Sequence, residues 1–304
     1  MNKRTTIVLI FAILVLALAW KLTPRITDNG SRLTSSAKLQ IAATISPLAD
    51  IIKNIGGDYV TVTTILPPGA SPHTFEPSPQ QAIALQNAQL VFAIGHGFDD
   101  WVKTLASNAP SAKLVTPDAD VQLRDLSAQE RDADQPDQVQ DPHYWLSIPN
   151  AETMARNIAS ALAVADSVHA NDYAKNLQDY LTKLTDTDSY VRSRLSTVKN
   201  KDLITHHNAW GYFAKEYGLV IVGTFEVAPG REPTIQQLTD LQTKVKEFNL
   251  KTVYVEPQLS DQSIRPFVQD LKLNVTTLDP EGSGNNMGYI DLMRYNADTI
   301  AKNQ

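Results

Sequence analysis

The feature that most restricts the fold of this chain is a helical pattern that runs from Met154 to Val198. Apolar residues recur there at intervals of three or four, which is the spacing of one face of an α-helix. A continuous helix of this extent would be about 70 Å long, which is more than a single small domain requires. The pattern therefore predicts a helix that connects two parts of the molecule, either unbroken or interrupted near 170–172.

Strand and helix patterns alternate on both sides of this long helix. The strand candidates before it are LQIAATISPL (39–48), VTVTTIL (60–66) and LVFAIG (90–95). After it the alternation resumes with the strand candidates DLITHH, LVIVGTF, TVYVEP and NVTTLDP. Such alternation is typical of parallel sheets with covering helices. We therefore predict an α/β fold of two lobes, each a mostly parallel sheet with covering helices, joined by one long backbone helix.

The chain is long enough for two lobes with a buried core in each. It has 304 residues, of which 42% are hydrophobic. We place the N-terminal lobe at 39–147, the linking helix at 148–198 and the C-terminal lobe at 199–304. Ligands of open α/β sheets bind beyond the carboxyl ends of the strands, so a site is expected in the cleft between the lobes.

Residues 1–38 have the composition of an export signal followed by a polar leader. Lys3 and Arg4 precede an apolar run from Ile7 to Trp20. The small residues of Ala17-Leu18-Ala19 match a signal-peptidase site, and the run is shorter than the roughly 20 residues of a spanning helix. We predict a signal peptide or an uncleaved N-terminal anchor, and hence a protein on the periplasmic or extracellular face of the membrane.

The composition excludes several kinds of site and partner. The chain has no cysteine, which excludes disulfides, thiolate metal sites and thiol nucleophiles. Its formal net charge is −6, and its Lys and Arg residues are scattered rather than clustered. Such a surface offers no long-range attraction for phosphate backbones, so we expect no nucleic-acid partner. Any metal ion has to be held by nitrogen and oxygen ligands.

Three histidines and one aspartate stand in loops where the predicted strands end. These are His73 in SPHTFEPSP, His143 in DPHYWLSIP, His207 in THHNAWGYF and Asp279 in LDPEG. Two of the four fall in each predicted lobe. Three neutral imidazoles and one carboxylate form a four-coordinate nitrogen and oxygen set, which suits zinc.

Each of these positions also has an ordinary structural interpretation. A single loop histidine is more often a hydrogen-bonded surface residue than a ligand, and we assign that role to His96 and His169. Strand alternation turns His206 to the face opposite His207. Asp279 also suits a turn before the proline that follows it. The sequence has no short ligand motif such as HExxH, so the predicted site depends on the four positions taken together.

In their order along the chain, these segments resemble a known family. The segments PHTFEPSPQQ, DPHYWLSI, THHNAWGYFAKEYGL, EPQLSD and LDPEG are similar to the zinc and manganese solute-binding proteins of ABC importers. The resemblance extends from about residue 39 to the end of the chain. It implies that one divalent metal ion is held by His73, His143, His207 and Asp279 between two lobes bridged by a rigid helix. It further implies delivery of the ion to an ABC-type membrane permease by a protein that is not an enzyme, and we expect a monomer.

The third ligand position of the family favours zinc in this chain. Members that prefer manganese tend to carry a carboxylate there, whereas this chain has His207, and imidazole is the softer ligand. Zinc members often carry a histidine-rich loop before the second ligand. The corresponding segment here, 118–141, is acidic and contains no histidine, so it predicts an exposed loop without a role in scavenging zinc. We predict zinc as the bound ion, with manganese as the alternative.

An exported zinc hydrolase is the alternative from another class. A catalytic zinc site keeps one position open for water and has a general base nearby. Four protein ligands argue against such a site, and the two candidate bases, Glu76 and Glu256, stand in no catalytic motif. We expect these glutamates to cap a helix or to hydrogen-bond a metal ligand instead.

Overall fold

The computed structural model describes residues 37–109, 111–127, 130–131, 138–227, 229–282 and 287–304. The predicted signal peptide or anchor lies outside these residues. Lys38–Gln304 folds as one unit. In this described part of the chain, no helix has both the length and the apolar character needed to cross a membrane.

The first lobe is built on a sheet of four parallel strands. Its elements are β1 (Leu39–Ala43), α1 (Ser46–Gly56), β2 (Val60–Thr64), α2 (Pro79–Leu85), β3 (Leu90–Phe92), α3 (Trp101–Ser107) and β4 (Lys113–Val115). The strand order is β2-β1-β3-β4, and each neighbouring pair is parallel. Strand β4 was not predicted from the sequence, because three residues are too few to show a period.

Local sequence explains where the helices of this lobe begin. Pro47 occupies the first turn of α1, where a proline loses no helical hydrogen bond. Ser78 caps α2 in a capping box with Gln81, and Pro79 is the first helical residue. Glu76, which the sequence analysis considered as a cap for this helix, is exposed and lies outside the capping box.

The long helical pattern in the middle of the chain falls on two helices. They are α4 (Ile148–Ala165) and α5 (Ala170–Ser196), separated by a 3-10 turn at Ser167–His169. Asp166 ends α4, and its Oδ2 accepts hydrogen bonds from His169 Nδ1 at 2.6 Å and from the Tyr173 hydroxyl at 2.8 Å. These local bonds offer the backbone an alternative to a continuous helix. An unbroken helix from Met154 to Val198 is therefore excluded.

The 27-residue helix α5 is the connection between the lobes. It is about 40 Å long at 1.5 Å per residue. On the side of the first lobe it packs against α1 and α4, and on the side of the second lobe against two helices described next. The prediction that one long helix joins the two lobes is confirmed.

The second lobe repeats the architecture of the first. Its elements are β5 (Asp202–His207), α6 (Gly211–Tyr217), β6 (Val220–Glu226), α7 (Ile235–Glu247), β7 (Thr252–Val255), α8 (Arg265–Asp270), β8 (Asn274–Thr277) and α9 (Tyr289–Asn303). The strand order is β6-β5-β7-β8, again with parallel neighbours. Helices α6 and α9 are the two that contact α5. The predicted α/β fold of two mostly parallel sheets is confirmed.

A single hydrophobic core continues through both lobes. It includes Ile52 of α1, Leu184 of α5, Tyr254 of β7 and Ile300 of α9. Two smaller cores, one for each lobe, bury further residues of the two sheets and their covering helices. Because the lobes share closely packed apolar side chains, we expect small tilts between them rather than a wide opening.

Candidate metal centre

Three of the four predicted site residues, His73, His143 and His207, come together between the two sheets. His143 Nε2 lies 3.2 Å from His73 Nε2 and 3.3 Å from His207 Nε2. The ligand atoms of all three lie within 4.8 Å of one another. A tetrahedral zinc ion with bonds of about 2.0–2.1 Å to nitrogen holds its ligand atoms about 3.3 Å apart. The spacing of these nitrogens therefore fits a zinc ion.

His73 is held by the loop that connects β2 to α2. The Trp101 indole donates a hydrogen bond to the Pro72 carbonyl at 3.0 Å, next to the histidine in the chain. The His73 ring packs edge-on against Phe98, with the ring centroids 4.8 Å apart. The prolines of this loop restrict its backbone further. The loop thus presents the imidazole in a defined position.

The other two histidines are attached directly to regular structure. His207 is the last residue of β5, which is a central strand of its sheet. His143 precedes a 3-10 turn, Tyr144–Leu146, that leads into α4. Both are buried. The carboxyl end of a strand and the start of a helix therefore bring the two rings into the interface between the lobes.

Two carboxylates determine which nitrogen of these rings is available. Asp141 Oδ1 accepts a hydrogen bond from His143 Nδ1 at 2.8 Å, and Glu256 Oε2 accepts one from His207 Nδ1 at 2.7 Å. Because a carboxylate only accepts, each Nδ1 carries the hydrogen and each Nε2 of the neutral ring presents a lone pair. These lone pairs face each other at 3.3 Å. A cation between the rings satisfies both nitrogens, and carboxylate-backed histidines are typical of zinc sites.

Burial favours the neutral form of two of the imidazoles, those of His73 and His143, and this is the form that binds metal. It lowers the pKa of His73 well below its ordinary value of 6.5, and the charges of the two other histidines lower it further. Burial also lowers the pKa of His143, although the hydrogen bond and charge of Asp141 oppose this shift. A ring that stays neutral below pH 6.5 remains able to bind a metal ion there.

Asp279 does not belong to the three-histidine group, within the part of the chain that is described. It is buried in the loop after β8, where its Oδ1 accepts hydrogen bonds from the backbone amides of Glu281 at 2.9 Å and Gly282 at 2.8 Å. Asn296 holds its backbone through two further hydrogen bonds. Asp279 therefore forms a tight turn, and its role as a ligand stays a prediction.

The other three histidines also lie outside the group, as far as the described residues go. His206 is fully buried, with Nε2 3.5 Å from Glu226 Oε1. His96 Nε2 lies 2.9 Å from Asp118 Oδ2. His169, in the turn before α5, pairs with an aspartate and packs its ring on a tyrosine. His96 and His169 thus have partners away from the site, whereas neither ring nitrogen of His206 has a hydrogen-bond partner among the described residues.

The roles of Asp141 and Arg124 were not predicted from the sequence. Both residues lie in the segment predicted to be an exposed acidic loop, 118–141. Asp141 is fully buried, and the Arg124 guanidinium pairs with it at 2.6 Å. Burial alone raises the pKa of the Asp141 carboxyl, but the hydrogen bond and charge of His143, together with the Arg124 charge, lower it overall. The only available signal was the position of Asp141, two residues before the predicted ligand.

Glu281 is a second buried carboxyl group that the sequence analysis missed. Its Oε2 has no hydrogen-bond partner among the described residues. Burial, followed by the nearby charges of Glu256 and Asp279, raises the pKa of this carboxyl well above its usual range. Burial and the two neighbouring carboxyl groups therefore favour the neutral form of this carboxyl group.

A cavity of about 300 Å³ opens beside the three histidines. Glu130 and Gln138 line it from the first lobe, and Asn208 and Arg231 line it from the second. Because the three imidazoles also line this cavity, it provides a route by which a hydrated ion reaches them.

Replacement of Glu256 by glutamine is expected to weaken zinc binding by about 10–100-fold. Glu256 accepts hydrogen bonds from His207 Nδ1, from Trp210 Nε1 at 3.1 Å and from Gln258 Nε2 at 2.9 Å. The glutamine amide has only one acceptor oxygen for these three donors. Affinity is measured by competition with a chromophoric chelator at pH 7.5. Glu232→Gln, an exposed carboxylate of the same lobe, is the matched control. Equal affinities of the two variants would show that Glu256 does not support the site.

Comparisons with known proteins give consistent matches over most of the chain. The profile of a family described as "Zinc-uptake complex component A periplasmic" matches residues 41–303. The chain is 28% identical over 287 residues to the high-affinity zinc uptake system protein ZnuA of Bacillus subtilis, with 90% of each protein covered. It is 30% identical over 286 residues to the manganese ABC transporter substrate-binding lipoprotein PsaA of Streptococcus anginosus, with 88% of this chain and 90% of the relative covered. A crystal structure of ZnuA matches with a TM-score of 0.79 at 30% identity, covering 88% of this chain and 99% of the other.

Proposed function

Because the chain belongs to the zinc-uptake component A family, we propose that it captures one divalent metal ion, zinc by preference, and delivers it to an ABC-type membrane permease. Relatives named for zinc uptake and for manganese transport support metal binding and delivery. The observation that carries the proposal is the pair of carboxylate-backed imidazoles, His143 and His207, whose Nε2 atoms face each other. The function is binding and release, so no residue is assigned a catalytic role.

In this proposal His73, His143 and His207 supply three nitrogen ligands and Asp279 supplies one oxygen. The spacing of the ring nitrogens supports the first part. The burial of Asp279 in the loop at the carboxyl end of β8 supports the second, and one carboxylate partly offsets the charge of the ion. The ligands then come from both the 39–147 lobe and the 199–304 lobe, so the bound ion joins them.

The donor set is the reason to propose zinc rather than manganese. Imidazole nitrogen suits zinc, whereas manganese prefers sites made mostly of oxygen. The relatives include proteins named for each metal, so the preference rests on the three imidazoles of this chain.

We place the protein on the outer face of the membrane, where it meets the permease as a monomer. The family description as periplasmic and the lipoprotein relatives support this location. The N-terminal segment acts in this proposal as a signal peptide or as an anchor.

Metal analysis of the protein, purified without added metal and then titrated with zinc and with manganese, tests the proposal. We expect one zinc ion per chain, and we expect zinc to displace manganese when the two are supplied at equal concentration. A protein that binds neither ion in a defined ratio would contradict the function. Tighter binding of manganese than of zinc would contradict only the choice of metal.

A further inference from the structure

Arg124 is connected to the candidate metal site through a single carboxylate. Its Nη2 and Nε lie 2.6 Å and 3.1 Å from Asp141 Oδ2. The other oxygen of Asp141 accepts hydrogen bonds from His143 Nδ1 at 2.8 Å and from the His143 backbone amide at 3.0 Å. The guanidinium thus fixes one oxygen of a buried carboxylate while the other oxygen fixes the imidazole.

Arg124 also contacts the opposite lobe, at Tyr212 and Gly211. The Arg124 backbone amide donates to the Tyr212 hydroxyl at 2.7 Å, and this hydroxyl donates to the Asp141 carbonyl at 2.9 Å. The Arg124 guanidinium carbon lies 6.0 Å from the centroid of the Tyr212 ring. At Gly211, the first residue of α6, an added methyl group would overlap the guanidinium. The absence of a side chain at this glycine is therefore what lets the arginine lie against α6.

The carboxylate that bonds to His207 is held differently from the one that bonds to His143. The first of these, Glu256, accepts hydrogen bonds from Trp210 and Gln258, which belong to the same lobe as the histidine. The carboxylate of His143 is held instead by an arginine that packs on the other lobe. The hydrogen bonds that hold Glu256 thus lie within one lobe, whereas Asp141 is held by an arginine that contacts the other lobe.

The interface has a second set of bonds that is deeper than the one at Arg124. Trp145 Nε1 donates to the Pro280 carbonyl at 2.8 Å, and the Tyr289 hydroxyl donates to the Trp145 carbonyl at 2.6 Å. Trp145 and Tyr289 are fully buried, whereas the Arg124 side chain is 18% exposed. A small tilt of the lobes therefore disturbs the contacts of Arg124 more easily than it disturbs those of Trp145.

We propose that Arg124 is a positioning residue that couples contact between the lobes to the orientation of His143 and thereby sets the rate of metal release. This inference rests on the proposed function. When the lobes are in contact, Arg124 holds Asp141 and the His143 Nε2 faces the ion. When α6 moves away, the arginine keeps its ion pairs with Glu130 and Asp141 but loses its contacts with the other lobe, so Asp141 is held less firmly and the ion dissociates faster.

The test compares two substitutions from opposite lobes. Arg124→Gln removes the guanidinium, and Gly211→Ala displaces it without altering the arginine, because the added methyl group would overlap the end of a flexible side chain. Alanine is also a better helix former than glycine, so the second variant is not expected to unfold α6. Zinc dissociation is followed by stopped-flow mixing of the zinc-loaded protein with excess chelator. We expect about 10-fold faster release for each variant, as for loss of an outer partner of a metal ligand.

The double variant separates coupling from a general loss of structure. If both changes act through the same guanidinium, Arg124→Gln with Gly211→Ala releases zinc at the rate of Arg124→Gln alone. Multiplied effects, or wild-type release by Gly211→Ala, would overturn the proposal. Arg131→Gln is the control, because Arg131 loses the same charge in the same segment but bonds to the Leu126 carbonyl. Failure of the wild-type protein to bind zinc would instead contradict the proposed function.

Discussion

Replacement of His143 by alanine is expected to lower zinc affinity by more than about 100-fold, because loss of an outer partner alone costs about 10–100-fold. His143 is the central member of the group, with its Nε2 3.2 Å from His73 Nε2 and 3.3 Å from His207 Nε2. Its removal leaves only the imidazoles of His73 and His207, without the ring that lies next to both of them. Asp141 keeps its pairing with Arg124 in the variant, so we expect the fold to persist.

The loss of affinity is also visible as a loss of stabilisation by zinc. A ligand at about 1,000 times its dissociation constant stabilises the folded state by about 4 kcal/mol. For a protein of 304 residues, with an unfolding entropy of about 2.1 cal/mol/K per residue, that corresponds to a rise in Tm of about 6 °C. We expect this rise for the wild-type protein and its near disappearance for His143→Ala at the same zinc concentration.

His96→Ala is the matched control for this experiment. It removes a half-buried histidine of the same lobe that pairs with Asp118 rather than with the site. Its zinc-dependent rise in Tm is expected to equal that of the wild-type protein. A full rise in the His143 variant, or an equal loss in both variants, would refute the assignment of His143 as a ligand.

The architecture of the chain could be predicted because the signals were local and repeated. Alternating strand and helix segments indicated two mostly parallel sheets, and each sheet is present with the expected helices around it. Strand β4, at the edge of the first sheet, was not predicted because it has too few residues to show a period.

The break in the long helical pattern could not be decided from the sequence. Two helices that bury the same kind of face repeat apolar residues at the same interval as one helix does. The interruption depends on the side chain of Asp166, which bonds to His169 and Tyr173. An aspartate of this kind is also common on the surface of an unbroken helix. The boundaries proposed for the lobes and the linking helix stay predictions.

The site was predictable to the extent that residue types and loop positions indicated it. The three histidines stood at the ends of predicted elements, and the structure brings them together. The buried carboxyl groups of Asp141 and Glu281 were harder to find, because they resemble ordinary loop acids and only burial distinguishes them. Glu256, by contrast, was expected to hydrogen-bond a ligand, and it does so at His207.

The metal-free protein is expected to lose stability as the pH falls below about 6.5, the pKa of a histidine in the unfolded chain. The folded protein lowers the pKa of His73 and His143, so below pH 6.5 the unfolded state binds protons that the folded state does not bind. Stability then rises with pH in this range and is fully present above pH 6.5. A group that binds a proton only in the unfolded state contributes at most about 1.4 kcal/mol per pH unit. Urea unfolding in the presence of a chelator measures the change between pH 7.5 and 5.5.

Comparison of the wild-type protein with His73→Gln isolates the contribution of these buried rings from that of surface carboxylates. The substitution removes the histidine with the pKa that lies well below 6.5, and it leaves the chain with the same carboxylates. The difference in unfolding free energy between pH 7.5 and 5.5 should therefore be smaller in the variant by on the order of 1 kcal/mol. An identical pH dependence would mean that His73 is as easily protonated in the folded protein as in the unfolded chain. That result would contradict the inference that the His73 ring stays neutral, and so able to bind metal, below pH 6.5.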